Sequence, residues 1–414
     1  MAKQPAKQPA SLEKRYQDIL RAQTITEDGP GTILKDFETL LDFIGSDGVE
    51  AGGKYHFLPL KLLPDLNTRL SKQIELDLKR PQQKSYPYLH GLYLLLRASG
   101  LVGIQQRDNK IYLLLDEQGL ASWHSLSPTE RYFTLLESWI LRGNPSILGE
   151  RGFDSSGSIQ NWSRFFQRFE GQSLQVAGNR RAELSLNYTP TLCTLALLEL
   201  FGFVKVRDAK PKPGGGWRVD RVERTEFGDA MRDLLFKQGF IFDLMFTELE
   251  EEATITLRNE LAPFFPEWRH NLVLSEPELL TGVYIFKVSL GSSVWARIAI
   301  PSDSLMYNLS DAILDAYDFD VDHLYCFIYA NRYGIRENIN HPYMDEPPSA
   351  DEVTLEELGL IPGTVMTYLY DFGDNWKFQV LLESIEPADK KLKQSKLLEF
   401  HGKQPSQYGD EGDW

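Results

Sequence analysis

The stretch Tyr368-Leu369-Tyr370-Asp371-Phe372-Gly373-Asp374-Asn375-Trp376-Lys377-Phe378-Gln379-Val380 decides the fold of the C-terminal part of the chain. Large apolar residues alternate before the Asp-Phe-Gly-Asp segment and alternate again after it. A period of two is typical of β-strands, and Asp, Gly and Asn are typical of tight turns. The stretch therefore predicts a β-hairpin whose turn is rich in carboxylate and aromatic groups.

Similar patterns surround this hairpin and predict an α+β domain over residues 281–414, with a sheet in which antiparallel pairs dominate. The sequence predicts, in order, a hairpin of Val283–Leu290 and Val294–Ile300, a helix Leu309–Tyr317, a strand Leu324–Ala330, a short helix Val353–Leu358, and the last two strands Thr364–Tyr370 and Trp376–Ile385.

Six segments of this domain together resemble the plasmid pRiA4b ORF-3-like family. They are Val283–Leu290, Val294–Arg297, Tyr317–Asp320, His323–Leu324, Asp371–Trp376 and the late segment Leu397–Tyr408. The resemblance implies an α+β domain of uncertain function that occurs in proteins associated with plasmids and insertion elements. Many members carry cysteines in the late segment, where this chain has Gln404 and its neighbours. A metal or redox site built on those cysteines is therefore not expected in this chain.

The N-terminal two-thirds contains two stretches in which a helix is followed by a glycine and a hairpin. Tyr88–Ser99 precedes the hairpin of residues 101–115, and Leu192–Leu200 precedes strands near Phe201–Val206 and Trp217–Val219. This order is the outline of a winged helix, and the region resembles extensions found in some family members. We predict four parts: a disordered lead-in 1–30, a winged-helix-like unit 31–127, a helical bridge and second such unit 128–268, and the domain 281–414.

Composition indicates a soluble, multidomain protein of 414 residues with ordinary hydrophobic and charged fractions of 42% and 25%. The two cysteines, Cys193 and Cys326, lie in apolar runs, so we expect buried thiols and a cytoplasmic location. We find no apolar run of about 18 residues that could span a membrane, and the polar start Met1–Ala10 lacks the apolar core of a secretory signal. We expect no cofactor and no metal.

Charge separates the two ends of the chain. Residues 281–414 contain 10 Lys or Arg and 22 Asp or Glu, a balance of −12, whereas residues 1–280 contain 34 and 37, a balance of −3. Repulsion therefore disfavours nucleic-acid binding by the C-terminal domain. Within residues 51–111, however, ten basic residues stand against four acidic ones.

This basic excess makes nucleic-acid binding a hypothesis for the N-terminal region, because Lys and Arg side chains contact phosphates. The polar, basic stretch Lys79–Tyr86 directly precedes Tyr88–Ser99, the helix in the position of a recognition helix. The alternative is a solvated face used in protein contacts. Arg180, Arg181 and Arg207 add charge to the second unit. The candidate nucleic-acid-binding residues are Lys79, Arg80, Lys84, Arg97, Arg107, Lys205, Lys210, Lys212 and Arg218.

The hairpin turn offers a second hypothesis. Asp371 and Asp374 are three residues apart, so both carboxylates can bind a cation or act as an acid and base pair. The favoured alternative is that they accept backbone N–H groups of the turn. His323, beside Asp320 and Asp322, allows a metal site, or else a hydrogen bond to a carboxylate. Phe372 and Trp376, which belong to the same motif turn as Gly373, are expected in the core, and the alternative is that they stack on a ligand.

We therefore expect a non-enzymatic interaction or regulatory protein with a protein partner, associated with duplex DNA through its N-terminal region and linked to mobile elements by the resemblance. The alternative is a metal-assisted enzyme with a site around Asp371, Asp374 and His323. A structural assembly protein is the third class.

Overall fold

A computed structural model describes residues 12–107, 110–150, 162–236, 257–276 and 279–408. The chain divides into two compact units: Met1–Ile104 with Tyr112–Ser275, and Gln105–Ile111 with Glu276–Trp414. Both combine helices with antiparallel sheets, so the predicted α+β class is confirmed. The start of the predicted lead-in (1–11) and part of the predicted bridge (151–161) lie outside the described residues.

The first unit is mainly helical. Its helices are α1 Lys14–Ala22, α2 Ile33–Ile44, α3 Leu63–Arg69, α4 Pro87–Ala98, α5 Glu117–Ser125, α6 Pro128–Arg142, α7 Arg180–Ser185, α8 Leu192–Leu200 and α9 Glu226–Phe236. Its strands are β1 Val49–Ala51, β2 Val102–Arg107, β3 Lys110–Leu115, β4 Ser173–Gln175, β5 Val204–Ala209 and β6 Arg218–Arg224; the tip of the β2–β3 hairpin, Gln105–Ile111, is the part assigned to the second unit. Short 3-10 turns lie at Leu60–Leu62, Gln83–Ser85 and Pro145–Leu148. None of the helices within the described ranges is both long and apolar enough to cross a bilayer.

Two segments of this unit share one topology. The first runs through α2, β1, α3, α4, β2 and β3, and the second through helical residues 162–166, β4, α7, α8, β5 and β6. In each segment the early short strand pairs with the last strand of the hairpin, which gives sheet orders β1-β3-β2 and β4-β6-β5. The recurrence of helix and hairpin predicted from sequence is therefore present.

The two segments meet where α4 packs against α8. All twelve residues of α4 are buried. A Cβ at Gly91 of α4 would lie 2.8 Å from Cγ of Leu197 in α8, so a larger residue would force that leucine to move. The contact between these helices forms the centre of the unit.

A lysine ties the segments together beside this helix pair. The Nζ of Lys72 lies 2.8 Å from Glu199 Oε2, 3.1 Å from Asp208 Oδ1 and 2.7 Å from the carbonyl oxygen of Val206. The hydroxyl of Tyr88 also donates to Glu199, whose Oε1 accepts the N–H of Val206 at 2.7 Å. Only 24% of the Lys72 side chain is exposed, so its removal would leave partly buried carboxylates without their cation.

The beginning of the chain differs from the predicted lead-in of residues 1–30. Helix α1 occupies Lys14–Ala22, Leu20 is fully buried, and Arg15 pairs with Glu226 of α9 at 2.8 Å. The physical reason is that Leu12, just before the helix, and Leu20 within it are both buried, which the polar composition of residues 1–10 concealed.

The second unit is a seven-stranded sheet in the order β10-β9-β11-β12-β7-β8-β13. Its elements are β7 Val283–Leu290, β8 Val294–Pro301, α10 Met306–Tyr317, β9 Tyr325–Ala330, β10 Arg336–Asn340, β11 Val365–Tyr370, β12 Trp376–Glu386 and β13 Lys396–His401, with 3-10 turns at Pro342–Met344 and Glu356–Leu358. Each of the six pairs of neighbouring strands in this sheet is antiparallel. The core lies between the sheet and α10, with Phe286, Ile313 and Tyr368 fully buried.

The hairpin from which the fold was inferred is confirmed, since Tyr370 of β11 faces Trp376 of β12. The two end strands, β10 and β13, were not predicted, and the expectation that Trp376–Ile385 is the last strand is wrong. Strand β10 has a single apolar residue, Ile339, and β13 has a register shift between Leu397 and Glu399. Alternation is therefore weak or broken in both.

We predict that replacing Lys72 by Met lowers the free energy of unfolding by about 2–4 kcal/mol, because Glu199 and Asp208 lose their cation. Urea denaturation monitored by tryptophan fluorescence measures the change. The matched control is Lys61→Met, at an exposed position, for which we expect a change below about 0.5 kcal/mol. Equal effects of the two substitutions would contradict a structural role for Lys72.

Candidate functional site

The hairpin turn is built around the Asp371 carboxylate. Asp371 has a φ of 52°, a left-handed conformation that Asp tolerates better than most residues. Its Oδ1 accepts the N–H of Gly373 at 2.8 Å and that of Asp374 at 3.4 Å, and its carbonyl oxygen accepts the N–H of Asn375 at 2.6 Å. The favoured alternative, in which the aspartate satisfies turn N–H groups, therefore describes Asp371, whereas Asp374 is exposed.

His323 lies beside the same turn. Its Nε2 is 3.4 Å from Asp322 Oδ1 and 3.6 Å from Asp371 Oδ2. The structure thus brings together His323 and Asp371 but gives the exposed Asp374 no place in the ion-pair cluster. In the ranges that the structure describes, no group of three or more His, Cys, Asp or Glu side chains could hold a metal ion.

The late segment, which sequence reasoning did not connect to this loop, completes the cluster. Gln407 Oε1 accepts the N–H of Asp320 at 2.6 Å, and the hydroxyl of Tyr408 donates to Asp322 at 3.1 Å. The hydroxyl of Tyr370 donates to the carbonyl oxygen of Asp320. No sequence signal links these partners, because they are 50 to 87 residues apart. Most polar groups of the loop and the turn are therefore already hydrogen-bonded to each other or to the late segment.

The two aromatic residues of the turn behave differently. Trp376 packs against the core, with its ring centroid 5.0 Å from that of Phe319. Phe372 is 45% exposed, so its predicted place in the core is wrong. The physical reason is that Phe372 lies at the tip of the turn, beyond the last pair of the β11–β12 ladder.

Two elements of the nucleic-acid hypothesis are wrong. Arg97 is only 4% exposed, and its Nη1 donates to the hydroxyl of Tyr93 at 3.4 Å. Helix α4, which contains Arg97, is buried along its whole length. It therefore cannot enter a DNA groove as a recognition helix.

Other basic residues, distant in sequence, do come together. The N–H of Asp77 donates to the carbonyl oxygen of Gly215 at 3.0 Å, and Asp77 Oδ2 accepts the N–H of Gly214 at 3.0 Å. These bonds bring the segment of exposed Lys79 and Arg80 to the β5–β6 loop, which carries Lys210 and Lys212. Lys84, Arg107 and Lys205 are also exposed but lie on other elements.

Helix α7 contributes to the same region through Glu183. This carboxylate pairs with Arg218 at 2.6 Å and with Lys212 at 2.8 Å. The hydrogen bonds from Arg218 and then Lys212 lower the pKa of Glu183 to about 2, so it stays ionised at neutral pH. Two of the predicted phosphate ligands are therefore already partly neutralised within the protein.

The outer side of α7 is more open. Arg180, Arg181 and Leu184 line a cleft of 480 Å³ together with Tyr188, which is 77% exposed. Tyr188 was not identified from the sequence, because a single Tyr in a loop carries no pattern. We call Lys79, Arg80, Arg180, Arg181, Tyr188 and Lys210 the basic surface.

Residues 283–410 match the family model of the Plasmid pRiA4b ORF-3-like protein. The match confirms the resemblance of the C-terminal third, and it includes the turn, His323 and the late segment up to Asp410. Residues 409 and 410 lie outside the described ranges.

The chain is also similar to a solved structure. It is a protein of unknown function from Methanosarcina mazei Go1, with 26% identity over 29% of this chain and 70% of that one, and a TM-score of 0.27. No curated protein matches the chain.

We predict that Asp371→Ala lowers the free energy of unfolding by about 1–2 kcal/mol, because alanine offers no acceptor to the turn and fits a positive φ poorly. Asp374→Ala, three residues away, is the matched control and should change it by less than about 0.5 kcal/mol. Asp371→Asn, which keeps a side-chain oxygen, should lie between them. Chemical denaturation decides, and a larger effect at Asp374 would refute this account of the turn.

Proposed function

We propose that this chain is a non-enzymatic binding protein whose first unit contacts nucleic-acid phosphates through the basic surface. The observation that carries the proposal is a pair of hydrogen bonds: the N–H of Asp77 donates to the carbonyl oxygen of Gly215, and the N–H of Gly214 donates to Asp77 Oδ2. They join two cationic segments about 130 residues apart in sequence. Exposed guanidinium and ammonium groups grouped in this way suit a phosphate backbone.

The shared topology of the two segments supports a second part of the proposal, namely that each is a winged-helix module. Each has a short strand that pairs with the last strand of the hairpin, and a central helix before that hairpin. Because α4 and α8 pack on each other, the usual recognition helices are used for internal packing. Contacts would then come from loops and strand ends, which favours phosphates over base edges.

We propose a different task for the second unit, and the charge distribution supports it. With a balance of −12 over residues 281–414, it repels a phosphate backbone, so we propose that it serves a protein partner. Regulation by that partner, a cytoplasmic location and a link to mobile elements belong to the same proposal. The name of the matched family supports the last of these.

We expect a labelled duplex to bind the full chain at low salt and to dissociate steeply as salt rises. Replacing Lys79 and Arg80 together by Ala should make the negative slope of log K against log salt shallower by about 1.8, since each lost phosphate contact removes about 0.9 from its magnitude. Fluorescence anisotropy between about 50 and 200 mM salt covers the range where such contacts weaken most. Because loops would make the contacts, two unrelated duplex sequences should bind with similar affinity.

The matched control is the double variant Lys391→Ala and Lys393→Ala, which removes two exposed charges from the second unit. Its salt slope should equal that of the unmodified protein. Absence of binding at about 50 mM salt, or equal losses in both double variants, would refute the proposed surface.

A further inference from the structure

A cleft of 580 Å³ runs along β10, the strand at one end of the seven-stranded sheet. One wall is β10 itself, with Glu337 and Asn338, and the other is the loop of residues 345–348. Tyr343, in the 3-10 turn just before this loop, is 87% exposed. A strand edge, a facing loop and an exposed aromatic ring are features that extended peptides use.

The backbone of β10 is oriented to accept another strand. Asn340 directs its main chain away from β9, because its N–H donates to the Pro348 carbonyl at 3.0 Å and its carbonyl accepts the N–H of Ala350 at 2.9 Å. In an antiparallel strand, residues two apart direct their backbone groups to the same side. Asn338 therefore presents its N–H and C=O toward the cleft, next to the point where the loop already pairs with the edge.

Both walls are fixed by hydrogen bonds within the protein. The Nδ2 of Asn340 donates to the carbonyl oxygen of Glu346 at 3.1 Å, which holds the loop. The carboxylate of Glu337 accepts the hydroxyl of Tyr329 at 2.7 Å and the Nδ2 of Asn331 at 2.6 Å. A cleft with walls held in this way lowers the ordering cost of binding a ligand.

The charge of the cleft selects the ligand. Glu337, Asp345 and Glu346 stand against Arg336, a balance of −2, within a unit that is itself strongly acidic. We propose that β10 is a strand-addition site for an extended, Lys- or Arg-containing segment of a protein partner. The backbone edge would supply hydrogen bonds, and the acidic loop would select basic side chains.

The test uses the full chain and fluorescence anisotropy at about 0.15 M salt, where long-range charge effects are screened. The probe is a labelled hexapeptide of alternating Lys and Val. Two counterparts are compared with it: one has Glu in place of Lys, and the other is N-methylated at its four central residues. The N-methylated peptide keeps the charge but loses the backbone donors on both of its edges.

Two variants locate the site. Asn338→Pro removes a backbone donor that faces the cleft, and proline is tolerated at such edge positions. We expect it to weaken binding of the basic peptide by about tenfold. Asp345→Asn with Glu346→Gln should weaken it as well. The control is Asp303→Asn with Glu386→Gln, two exposed acids outside the cleft lining, and it should bind like the unmodified protein.

The proposal requires that the basic peptide binds in preference to both counterparts and that the β10 variants weaken this binding. It is overturned if the N-methylated or the acidic peptide binds equally well, or if the control weakens binding as much as the loop variant does. It is also overturned if β10 pairs with a second copy of the chain. In that case the unmodified protein binds none of the peptides but dimerises, and Asn338→Pro abolishes the dimer. Should Asn338→Pro fail to fold, the three peptides on the unmodified protein still decide.

Discussion

The arrangement of the first unit depends on the ion pairs that the Lys72 ammonium group makes with Glu199 and Asp208. This ammonium group is held by two carboxylates and a carbonyl, and it lies over the ring of Tyr88 at 5.4 Å and that of Trp217 at 5.8 Å. These partners belong to both repeated segments. A partly buried cation in contact with two anions permits one relative position of the segments, because any displacement leaves a charge unpaired. That position also places Asp77 within reach of the β5–β6 loop, so the basic surface is a consequence of the same constraint.

The burial of α4 is predicted better by its amino-acid composition than by the winged-helix outline. Pro87–Ala98 is apolar on every side apart from His90 and Arg97, and a helix that is hydrophobic all round is expected in a core. Burial, and then the positive charge of Lys84, lower the pKa of His90 to about 4, so this imidazole is neutral at physiological pH. The winged-helix outline suggested an exposed recognition helix, but composition argued for the interior, and composition was right.

Elements with a local sequence pattern could be predicted, whereas contacts between residues distant in sequence could not. The β11–β12 hairpin, the β7–β8 hairpin and α10 follow from periodicity over ten to twenty residues. The end strands β10 and β13 do not, because β10 has a single apolar residue, Ile339, and the register of β13 shifts between Leu397 and Glu399. The contacts of Gln407 with Asp320, and of Asp77 with Gly214, join residues 87 and 137 positions apart. Residue propensity and sequence spacing do not predict such pairs. The hairpin turn could therefore be predicted, but the contacts of the late segment near it could not.

Both parts of the chain carry a net negative charge, −3 over residues 1–280 and −12 over residues 281–414, yet the basic surface and the acidic β10 cleft are compatible with nucleic-acid contact in one unit and basic-peptide contact in the other. At physiological salt the Debye length is about 8 Å, so acidic groups farther than this from a bound phosphate contribute little repulsion. Direct ion pairs are screened much less, and the groups that touch a ligand therefore decide binding. The net charge of −15 therefore influences solubility and the rate of encounter with charged ligands. The local groups of charge at the basic surface and at β10 determine which ligand each surface favours.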